Sequence, residues 1–298
     1  MQSPQVKADN DLEAYIRSRF LWHPNAVHNK QTLGGAPFST NAQPSPLLTG
    51  ERTNFEGRPI ANVILLSLPD SEFQAVRPLL TFEYLPSHTS LHEPGDKLEF
   101  AHFPNRGLVS IVVVTREGKT VEVGVVGNEG LSGTAALVGL SRYPHRAVVQ
   151  IAGDGFRIRA EALRGLLLTS PYLQNITSRH AVLQGMQAAQ SAACNRLHGI
   201  EQRLARWLLM MHDRVDSGYL AITHDFLATM LGTDRPSVSL AAALLQRKGA
   251  IEYTRGAVRI VDRRVLEESA CECYATIQQF NSFIGLKSPL QLSNKALE

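Results

Sequence analysis

The sequence has few cysteines, no long apolar run and little excess charge. Its 298 residues include three cysteines, Cys194, Cys271 and Cys273, which do not suggest a disulfide framework, and an iron–sulfur cluster would require four thiolates. No apolar segment is long enough to cross a bilayer, and the start, MQSPQVKADN, lacks the features of a signal peptide. We therefore expect a soluble, cytoplasmic protein without a membrane partner.

The net charge is only +3, so the chain as a whole is not strongly basic. The charge is nevertheless uneven, because the segment from Arg196 to Arg264 contains eleven Lys or Arg against seven Asp or Glu. Binding to DNA depends on a local basic patch more than on a high overall charge. The C-terminal third is therefore where a nucleic-acid interface is expected.

The first 59 residues are rich in Asn, Pro, Gly, Ser and Thr. A short helix at 12–20 is a candidate, but no sustained hydrophobic period follows it from Trp22 to Gly57. Such a composition does not bury enough apolar surface to fold alone. We therefore predict a mostly disordered extension over residues 1–59.

A β-rich domain is predicted from residue 60 to 165. It begins with a helix from Ser71 to Leu80, for which Ser71 is the expected cap. Apolar residues then occupy both faces of the strand around Val109 and Ile111, which favours a closed roll or sandwich over an open sheet. The predicted strands are 82–85, 90–92, 97–102, 107–115, 120–126, 147–151 and 156–158, with a turn at 104–107.

A long helix is predicted from residue 170 to 198, because apolar residues recur about every 3.5 positions and alanines follow them. The apolar run is longer than one roll would cover, and small residues allow a second helix to approach closely. We therefore expect a dimer interface rather than a helix packed only on its own roll. The predicted interface residues are Leu173, Ile176, His180, Leu183, Met186, Ala189 and Ala193.

Two further helices are predicted in the C-terminal third of the chain. The first, at 200–215, is expected to direct Arg203, Arg206 and Arg214 outward, and the second is expected at 263–280. Cys271 and Cys273 lie in the second helix, where we interpret them as part of the helix surface rather than as a redox pair. The remaining residues are expected to form a loose tail.

The segment from Ile222 to Val261 has the pattern of two short helices followed by a hairpin. Thr223 is a candidate N-cap of the first helix, and Gly232 ends it, because glycine adopts the left-handed conformation without steric penalty. Asp234 is a candidate cap of the second helix. Strands at 251–254 and 257–261, with a turn at 255–256, complete a winged helix-turn-helix.

The second of these helices has two unlike faces. Its inner face is predicted to comprise Val238, Ala241, Ala242 and Leu245. Its outer face carries fewer charges than an isolated surface helix would, but arginine, serine, glutamine and small apolar groups suit a DNA groove. A packing unit without DNA is the alternative. The outer residues are Arg235, Pro236, Ser239, Leu240, Ala243 and Gln246.

This segment is similar to the DNA-binding domain of the Crp/Fnr family of bacterial transcription regulators. The sequences PGD at 94–96, FPN-G at 103–107 and VGNEG at 126–130 are similar to the family's cyclic-nucleotide-binding-like β-roll. The resemblance spans about Asn62 to Ala275. It implies a homodimer on a near-palindromic site of double-stranded DNA, with RNA polymerase as a partner if the protein is an activator.

The resemblance also implies roles for single residues. Arg235 would read guanine and Ser237 would contact a phosphate, whereas Pro236 and Leu240 depart from the base-reading residues of the best-known members. Leu240 would suit a thymine methyl group. The predicted DNA-binding residues are Thr223, Arg235, Pro236, Ser237, Ser239, Leu240 and Arg255.

An effector pocket is implied less completely. Members that bind cyclic AMP use a Gly-Glu pair and an Arg-Ser pair, whereas here Glu129 is one place late and no serine follows Arg146. An empty or repacked pocket is therefore preferred over a cyclic nucleotide, and no cofactor or metal is predicted. The candidate pocket residues are Gly127, Asn128, Glu129, His145 and Arg146, and no haem ligand is singled out among His88, His92, His102, His145 and His180.

Together these patterns predict an α+β fold with a double-stranded β-roll (jelly-roll), a long dimerisation helix and a C-terminal winged helix-turn-helix. The expected function is transcription regulation and not catalysis. One alternative is a regulator that responds to a cyclic nucleotide, and another is a cupin-like metalloenzyme with His88, His92, Glu93 and His102 as ligands. The predicted segments are 1–59, 60–165, 170–198, 199–264 and 265–298.

Overall fold

The computed structural model describes residues 51–215, 217–254 and 256–284, with side chains as far as residue 281. The segment 51–59, predicted to belong to a disordered extension, is folded, so that prediction is wrong for these residues. Arg52 is buried and donates hydrogen bonds to the carbonyl oxygen of Leu65 (3.0 Å) and to Asp70 Oδ1 (2.6 Å). These contacts reach later parts of the chain, which local composition does not reveal. Residues 1–50, with the candidate helix at 12–20, lie outside the described residues.

Two short helices precede the first strand. They are α1 (Val63–Ser67) and α2 (Asp70–Val76), and a 3₁₀ turn (Arg77–Leu79) follows α2. The predicted cap at Ser71 is wrong, because Pro69 already holds the extended N-cap conformation and Ser71 lies inside the helix. The predicted inward side chains of Phe73, Val76 and Leu80 are buried.

Five antiparallel strands form the β-roll, which is called the roll below. The strand order is β1-β5-β3-β4, and β2 pairs with β5. The predicted strand at 120–126 is confirmed, and two long strands replace pairs of predicted short ones. The strands are β1 (Thr81–Leu85), β2 (Ser90–His92), β3 (Phe100–Val114), β4 (Thr120–Val126) and β5 (Arg146–Arg159).

The turn predicted at residues 104–107 is wrong, because β3 continues through it and stays paired with β5. The register of the pairing shifts three times between Pro104 and Val109, as expected for β-bulges. Gly107 has a φ of +79°, and a Cβ atom there would lie 2.5 Å from the carbonyl oxygen of Ile151. A glycine that permits a bulge thus carries the same sequence signal as a glycine in a turn.

Three helices follow the roll: α3 (Ala160–Leu167), α4 (Pro171–Leu197) and α5 (Ile200–His212). The N-terminus of α4 is capped by the carboxylate of Glu72, which accepts hydrogen bonds from the backbone N–H groups of Tyr172 (3.0 Å) and Leu173 (2.8 Å). This cap from α2 holds the start of α4 against the roll. The negative charge of the carboxylate also interacts favourably with the positive end of the helix dipole.

Four of the predicted dimer-interface residues belong instead to the interior of one chain. Leu173, Ile176, His180 and Leu183 are buried, and only Met186, Ala189 and Ala193 are exposed. His180 Nε2 lies 3.0 Å from the carbonyl oxygen of Leu131, and a Cβ atom at Gly130 would overlap the imidazole ring. The apolar period therefore marks the face of α4 that packs on its own roll.

The C-terminal part contains a three-stranded sheet of order β6-β8-β7 and four helices. The predicted helix at 263–280 is interrupted at residues 270–272, and Arg206 and Arg214 are buried rather than outward. The elements are β6 (Tyr219–Leu220), α6 (His224–Leu231), α7 (Arg235–Arg247), β7 (Ile251–Thr254), β8 (Ala257–Ile260), α8 (Arg263–Ser269) and α9 (Cys273–Ile284).

The roll and the C-terminal helices share one hydrophobic core. Leu108, Val112 and Val125 of the roll are buried in the same cluster as Leu204 and Leu227 of α5 and α6. The predicted α+β class, with an N-terminal roll and a C-terminal helix-turn-helix, is confirmed. Within the described residues, no helix combines the length and apolar character required to span a bilayer.

Candidate nucleic-acid interface

Local hydrogen bonds fix the two helices of the predicted helix-turn-helix. Thr223 Oγ1 accepts a hydrogen bond from the backbone N–H of Phe226 (3.2 Å) at the start of α6. Gly232, with a φ of +60°, ends that helix. Asp234 Oδ1 accepts from the N–H of Ser237 (2.8 Å) at the start of α7. The predicted caps of α6 and α7 are therefore confirmed, because each of these side chains bonds a backbone N–H group only three residues further along the chain.

The two faces of α7 are as predicted. Val238, Ala241, Ala242 and Leu245 are buried. Arg235, Pro236 and Ala243 are exposed, and 60% of Leu240 remains accessible, which is high for a leucine on a helix with a packed inner face. The inner face holds α7 in place, so its outer face is a rigid convex surface that a DNA major groove would accommodate.

Arg235 occupies the first position of α7. Its Nε atom lies 3.6 Å from Asp225 Oδ1, and both side chains are largely exposed, at 65% and 71%. An ion pair of this kind contributes little, because water screens it. The guanidinium group can therefore exchange Asp225 for another acceptor without a large loss of free energy.

Ser237 and Ser239 have partners inside the protein. Ser237 Oγ donates to Asp234 Oδ2 (2.9 Å), and Ser239 Oγ is 2.9 Å from His224 Nδ1. The His224 ring stacks on Tyr253 of β7 with centroids 3.8 Å apart. Burial lowers the pKa of His224, and the charge of Arg235 adds to this effect.

The contact of Ser239, His224 and Tyr253 joins α7, α6 and β7. Local sequence patterns do not reveal it, because its members are far apart in the chain. It gives Ser239 a role in holding α7 against the hairpin. Gln246 has a similar role, since its Oε1 accepts from the N–H of Tyr253 (3.0 Å). The hairpin itself closes with Thr254 opposite Ala257, and the predicted contact residue Arg255 lies outside the described residues.

Comparison with known proteins agrees with this geometry. Residues 202–269 match the family model of the Crp-like helix-turn-helix domain. These residues form a Crp-like helix-turn-helix domain. No curated protein matches the sequence.

The fold of about two thirds of the chain resembles solved transcription regulators. FixK2 from Bradyrhizobium japonicum is 14% identical with a TM-score of 0.57, and the match covers 64% of this chain and 98% of that one. The regulator CLP from Xanthomonas campestris, 15% identical, has a TM-score of 0.54 over 65% and 100% of the two chains. The CRP-family regulator TTHB099 from Thermus thermophilus is 21% identical, with a TM-score of 0.53 over 63% and 96%. Such identities show the fold. Together with the Crp-like domain, they support the predicted DNA-binding regulator.

The predicted effector residues are not gathered in one pocket. Glu129 is buried and accepts a hydrogen bond from Arg214 Nε (2.7 Å), at the C-terminal end of α5 in the Crp-like domain. Gly127 has no free space beside it, since a Cβ atom there would lie 2.7 Å from Glu129 Oε2. Glu129 therefore joins the roll to the Crp-like domain instead of facing a ligand. Asn128 contributes its carbonyl oxygen to the N–H of Val63 (2.7 Å).

Arg146 and His145 lie apart from Glu129. The Nε atom of Arg146 pairs with Glu93 Oε2 at 2.8 Å, and both side chains are half-exposed. His145 lines a cavity of about 210 Å³ between the roll and α4, together with Thr134, Tyr143 and Gln184. Among the described residues, this lining includes no arginine or lysine to hold a phosphate, and ligand pockets are usually larger, roughly 300–1,000 Å³.

The ligand set of the metalloenzyme alternative also lacks support. His102 Nδ1 pairs with Glu83 Oε1 (2.5 Å), and Glu93 pairs with Arg146. His92 is buried, and burial lowers its pKa to about 4. Within the described residues, the side chains spaced for a metal ion are a different group, which includes all three cysteines.

Proposed function

We propose that this protein is a sequence-specific DNA-binding transcription regulator that binds a near-palindromic operator as a homodimer. The observation that carries the proposal is α7 of the Crp-like domain, whose inner face is packed while Arg235 and Leu240 stay exposed. An α-helix presented in this way fits the major groove. The protein is proposed to act in the cytoplasm, to contact RNA polymerase if it is an activator, and to catalyse no reaction.

The contacts follow from the chemistry of the exposed face. Arg235 would donate to O6 and N7 of a guanine, since a guanidinium group forms this bidentate pair. Leu240 and Pro236 would offer apolar surface to a thymine methyl group. Ser237 would donate to a phosphate after leaving Asp234, and Arg255 would approach a phosphate from the hairpin turn. Thr223 and Ser239 act by positioning the helices.

The proposed dimer uses the outer face of α4, which differs from the face predicted first. Exposed residues recur on this face mostly at steps of three or four, as a helix pair requires. The pattern continues along most of the helix and includes a glycine with open space beside it, at Gly185. The outer face of α4 comprises Asn175, Ser178, Val182, Gly185, Met186, Ala189 and Ala193.

Effector-free activity is proposed, because the cavity beside His145 is small and its lining, in the part of the chain that the structure describes, has no arginine or lysine to hold a phosphate. Both sequence-specific DNA binding and effector-free activity can be tested by selecting bound DNA from a random pool, with purified full-length protein and no added ligand. A two-fold symmetric site is the expected result. If a specific DNA site is recovered only when a cyclic nucleotide is added, the proposal of effector-free activity is wrong. If no condition yields a specific site, the proposal that the protein is a DNA-binding regulator is wrong.

The variant Arg235→Ala tests the contact residue. It should weaken operator binding by about 1–3 kcal/mol, or ~5- to 150-fold, and relax the choice of base at one guanine. Arg116→Ala, which removes an exposed arginine in the hairpin of the roll, is the matched control and should leave affinity unchanged. Equal affinity of wild type and Arg235→Ala for the selected site would contradict the assignment.

A further inference from the structure

Four metal-binding side chains from two distant segments meet beside the Crp-like domain. Cys194 and His198 lie one helical turn apart at the C-terminal end of α4. Cys271 lies in the break between α8 and α9, and Cys273 is the first residue of α9. Their sulfur and ring-nitrogen atoms all lie within 4.8 Å of one another. The three cysteines are buried and form no disulfide with one another. The sequence interpretation of Cys271 and Cys273 as helix surface is therefore wrong.

The distances suit a tetrahedral ion. Cys194 Sγ is 3.5 Å from Cys271 Sγ, and Cys273 Sγ is 3.5 Å from His198 Nδ1. A disulfide would need a sulfur separation of about 2.05 Å. Zinc–sulfur bonds of ~2.3 Å and zinc–nitrogen bonds of ~2.0–2.1 Å in a tetrahedron place neighbouring ligand atoms roughly 3.5–3.8 Å apart. The group thus has nearly the size of a zinc coordination shell.

The surroundings orient the ligands. His198 Nε2 lies 3.1 Å from Glu272 Oε1, so the carboxylate holds the Nε2 proton and leaves the Nδ1 lone pair facing the sulfurs. A carboxylate behind a ligating histidine is the usual second partner at zinc sites. Gln190 Nε2 donates to Cys273 Sγ (3.0 Å), which stabilises a thiolate.

The charge of the neighbourhood fits as well. Three thiolates and a divalent ion carry one net negative charge, and buried Arg206 is a nearby cation. The Nε atom of Arg206 has no hydrogen-bond partner among the described residues.

We propose that Cys194, His198, Cys271 and Cys273 bind one zinc ion per chain. Zinc is favoured because it prefers thiolate and imidazole ligands in a closed tetrahedron, and four protein ligands leave no open position for catalysis. The expectation from the cysteine count considered only thiolate ligands and did not consider a histidine as the fourth ligand. The site is structural, and it connects the end of α4 to the end of the Crp-like domain.

The proposal does not depend on the proposed DNA-binding function. Zinc binding would link Cys194 to residues 77 and 79 positions later in the chain, so its free energy would add to the stability of the folded state. Loss of the ion would leave three buried thiols in contact and release the break between α8 and α9 from α4. The DNA-binding domain would then lose one of its attachments to the long helix.

The first experiment measures metal in the full-length protein, purified without a metal-affinity resin. Elemental analysis should find one zinc per chain, and a mercurial reagent that blocks thiols should release it. Replacement by Co²⁺ should give the thiolate-to-cobalt charge transfer and the intense visible bands of a tetrahedral site. Removal of zinc by a chelator should lower the Tm, and added zinc should restore it, a result that requires no variant to fold.

Variants identify the ligands. Cys271→Ser and Cys273→Ser should lose the ion, and Glu272→Gln should retain it with about 10- to 100-fold weaker affinity. His145→Ala, a histidine remote from the group, is the control and should bind zinc normally. The proposal is overturned by metal-free protein with three titratable thiols and no cobalt spectrum, by bound iron, by a Cys194–Cys271 disulfide in freshly purified protein, or by full zinc content in both serine variants.

Discussion

Glu122 and Glu129 are buried carboxylates of the roll where it contacts the Crp-like domain, yet their pKa values are shifted in opposite directions. Burial raises the pKa of Glu122 to about 7, although Ser110 Oγ (2.6 Å) and Trp207 Nε1 (2.7 Å) donate to it. Burial alone would raise the pKa of Glu129 too, but the charge of Arg214 and its hydrogen bond hold it below the usual value. A neutral donor therefore does not compensate for desolvation as a buried guanidinium does.

Glu122→Gln tests this difference. Because the folded-state pKa of Glu122 is about 7 and its ordinary value is 4.5, the folded chain retains a proton that the unfolded chain releases. Stability is therefore lost as the pH rises through that window. The amide can accept from Trp207 and donate to Ser110 without titrating, so the variant should avoid this loss, at most about 3 kcal/mol.

Urea unfolding of both proteins at pH 5 and pH 8 measures the effect. The free energy of unfolding of the wild type should fall relative to that of Glu122→Gln as the pH rises. Glu99→Gln, which neutralises an exposed carboxylate of the roll, should follow the wild type. Parallel curves for wild type and Glu122→Gln would show that Glu122 stays ionised in the folded chain.

Among the elements, α4 shows how far a sequence pattern can be interpreted. Its bounds, Pro171–Leu197, agree closely with the predicted 170–198, because helix limits depend on local signals. The apolar period of Leu173, Ile176 and Leu183 correctly indicated a buried face. The period does not show which element covers that face. Here the roll covers it, and the cap from Glu72 helps to hold the helix there. The outer face of α4 carries mostly small and polar residues, so an apolar period does not identify it.

Val182→Asp tests the proposed dimer. On the outer face of α4, 59% of Val182 is exposed in one chain, so aspartate should not disturb the fold. Near a two-fold axis the two new carboxylates would face each other, and like charges in contact cost several kcal/mol. The dimer dissociation constant should therefore rise by at least ~10-fold, as measured by light scattering and sedimentation over a concentration series.

A matched valine provides the control for this variant. Val138 of the roll is 75% exposed and lies outside the outer face of α4, so Val138→Asp should leave the assembly unchanged. If Val182→Asp and wild type associate equally, the dimer does not use this face. If the wild type is monomeric throughout, the homodimer itself is contradicted.

At the scale of the whole molecule, the contacts between distant segments were the hardest to predict. The caps at Thr223 and Asp234 could be predicted because each bonds a residue three positions away. Glu129 and Arg214 are 85 residues apart, and the arginine was expected to face solvent. The four residues of the proposed zinc site were also missed, since no local pattern joins Cys194 to Cys271. A charged residue on an amphipathic helix is buried only when another element supplies its partner.

The Glu129–Arg214 ion pair should therefore be a main stabilising contact between the roll and the Crp-like domain. Glu129→Ala leaves the guanidinium of Arg214 buried without its carboxylate, and removing one partner of a buried pair is expected to lower the free energy of unfolding by about 3–5 kcal/mol. The double variant Glu129→Ala/Arg214→Met removes both charges and should recover much of this loss. Glu268→Ala, which breaks the exposed pair with Arg264, should change stability by less than about 1 kcal/mol.

Urea unfolding followed by both far-ultraviolet circular dichroism and tryptophan fluorescence measures these values and tests the coupling. The shared core predicts a single transition for the wild type, because Trp207 lies within the cluster that includes Leu108 and Val112 of the roll. If the pair fastens the two parts, Glu129→Ala should separate the two signals or shift both by the stated amount. An effect no larger than that of Glu268→Ala would mean that apolar packing alone holds the Crp-like domain on the roll.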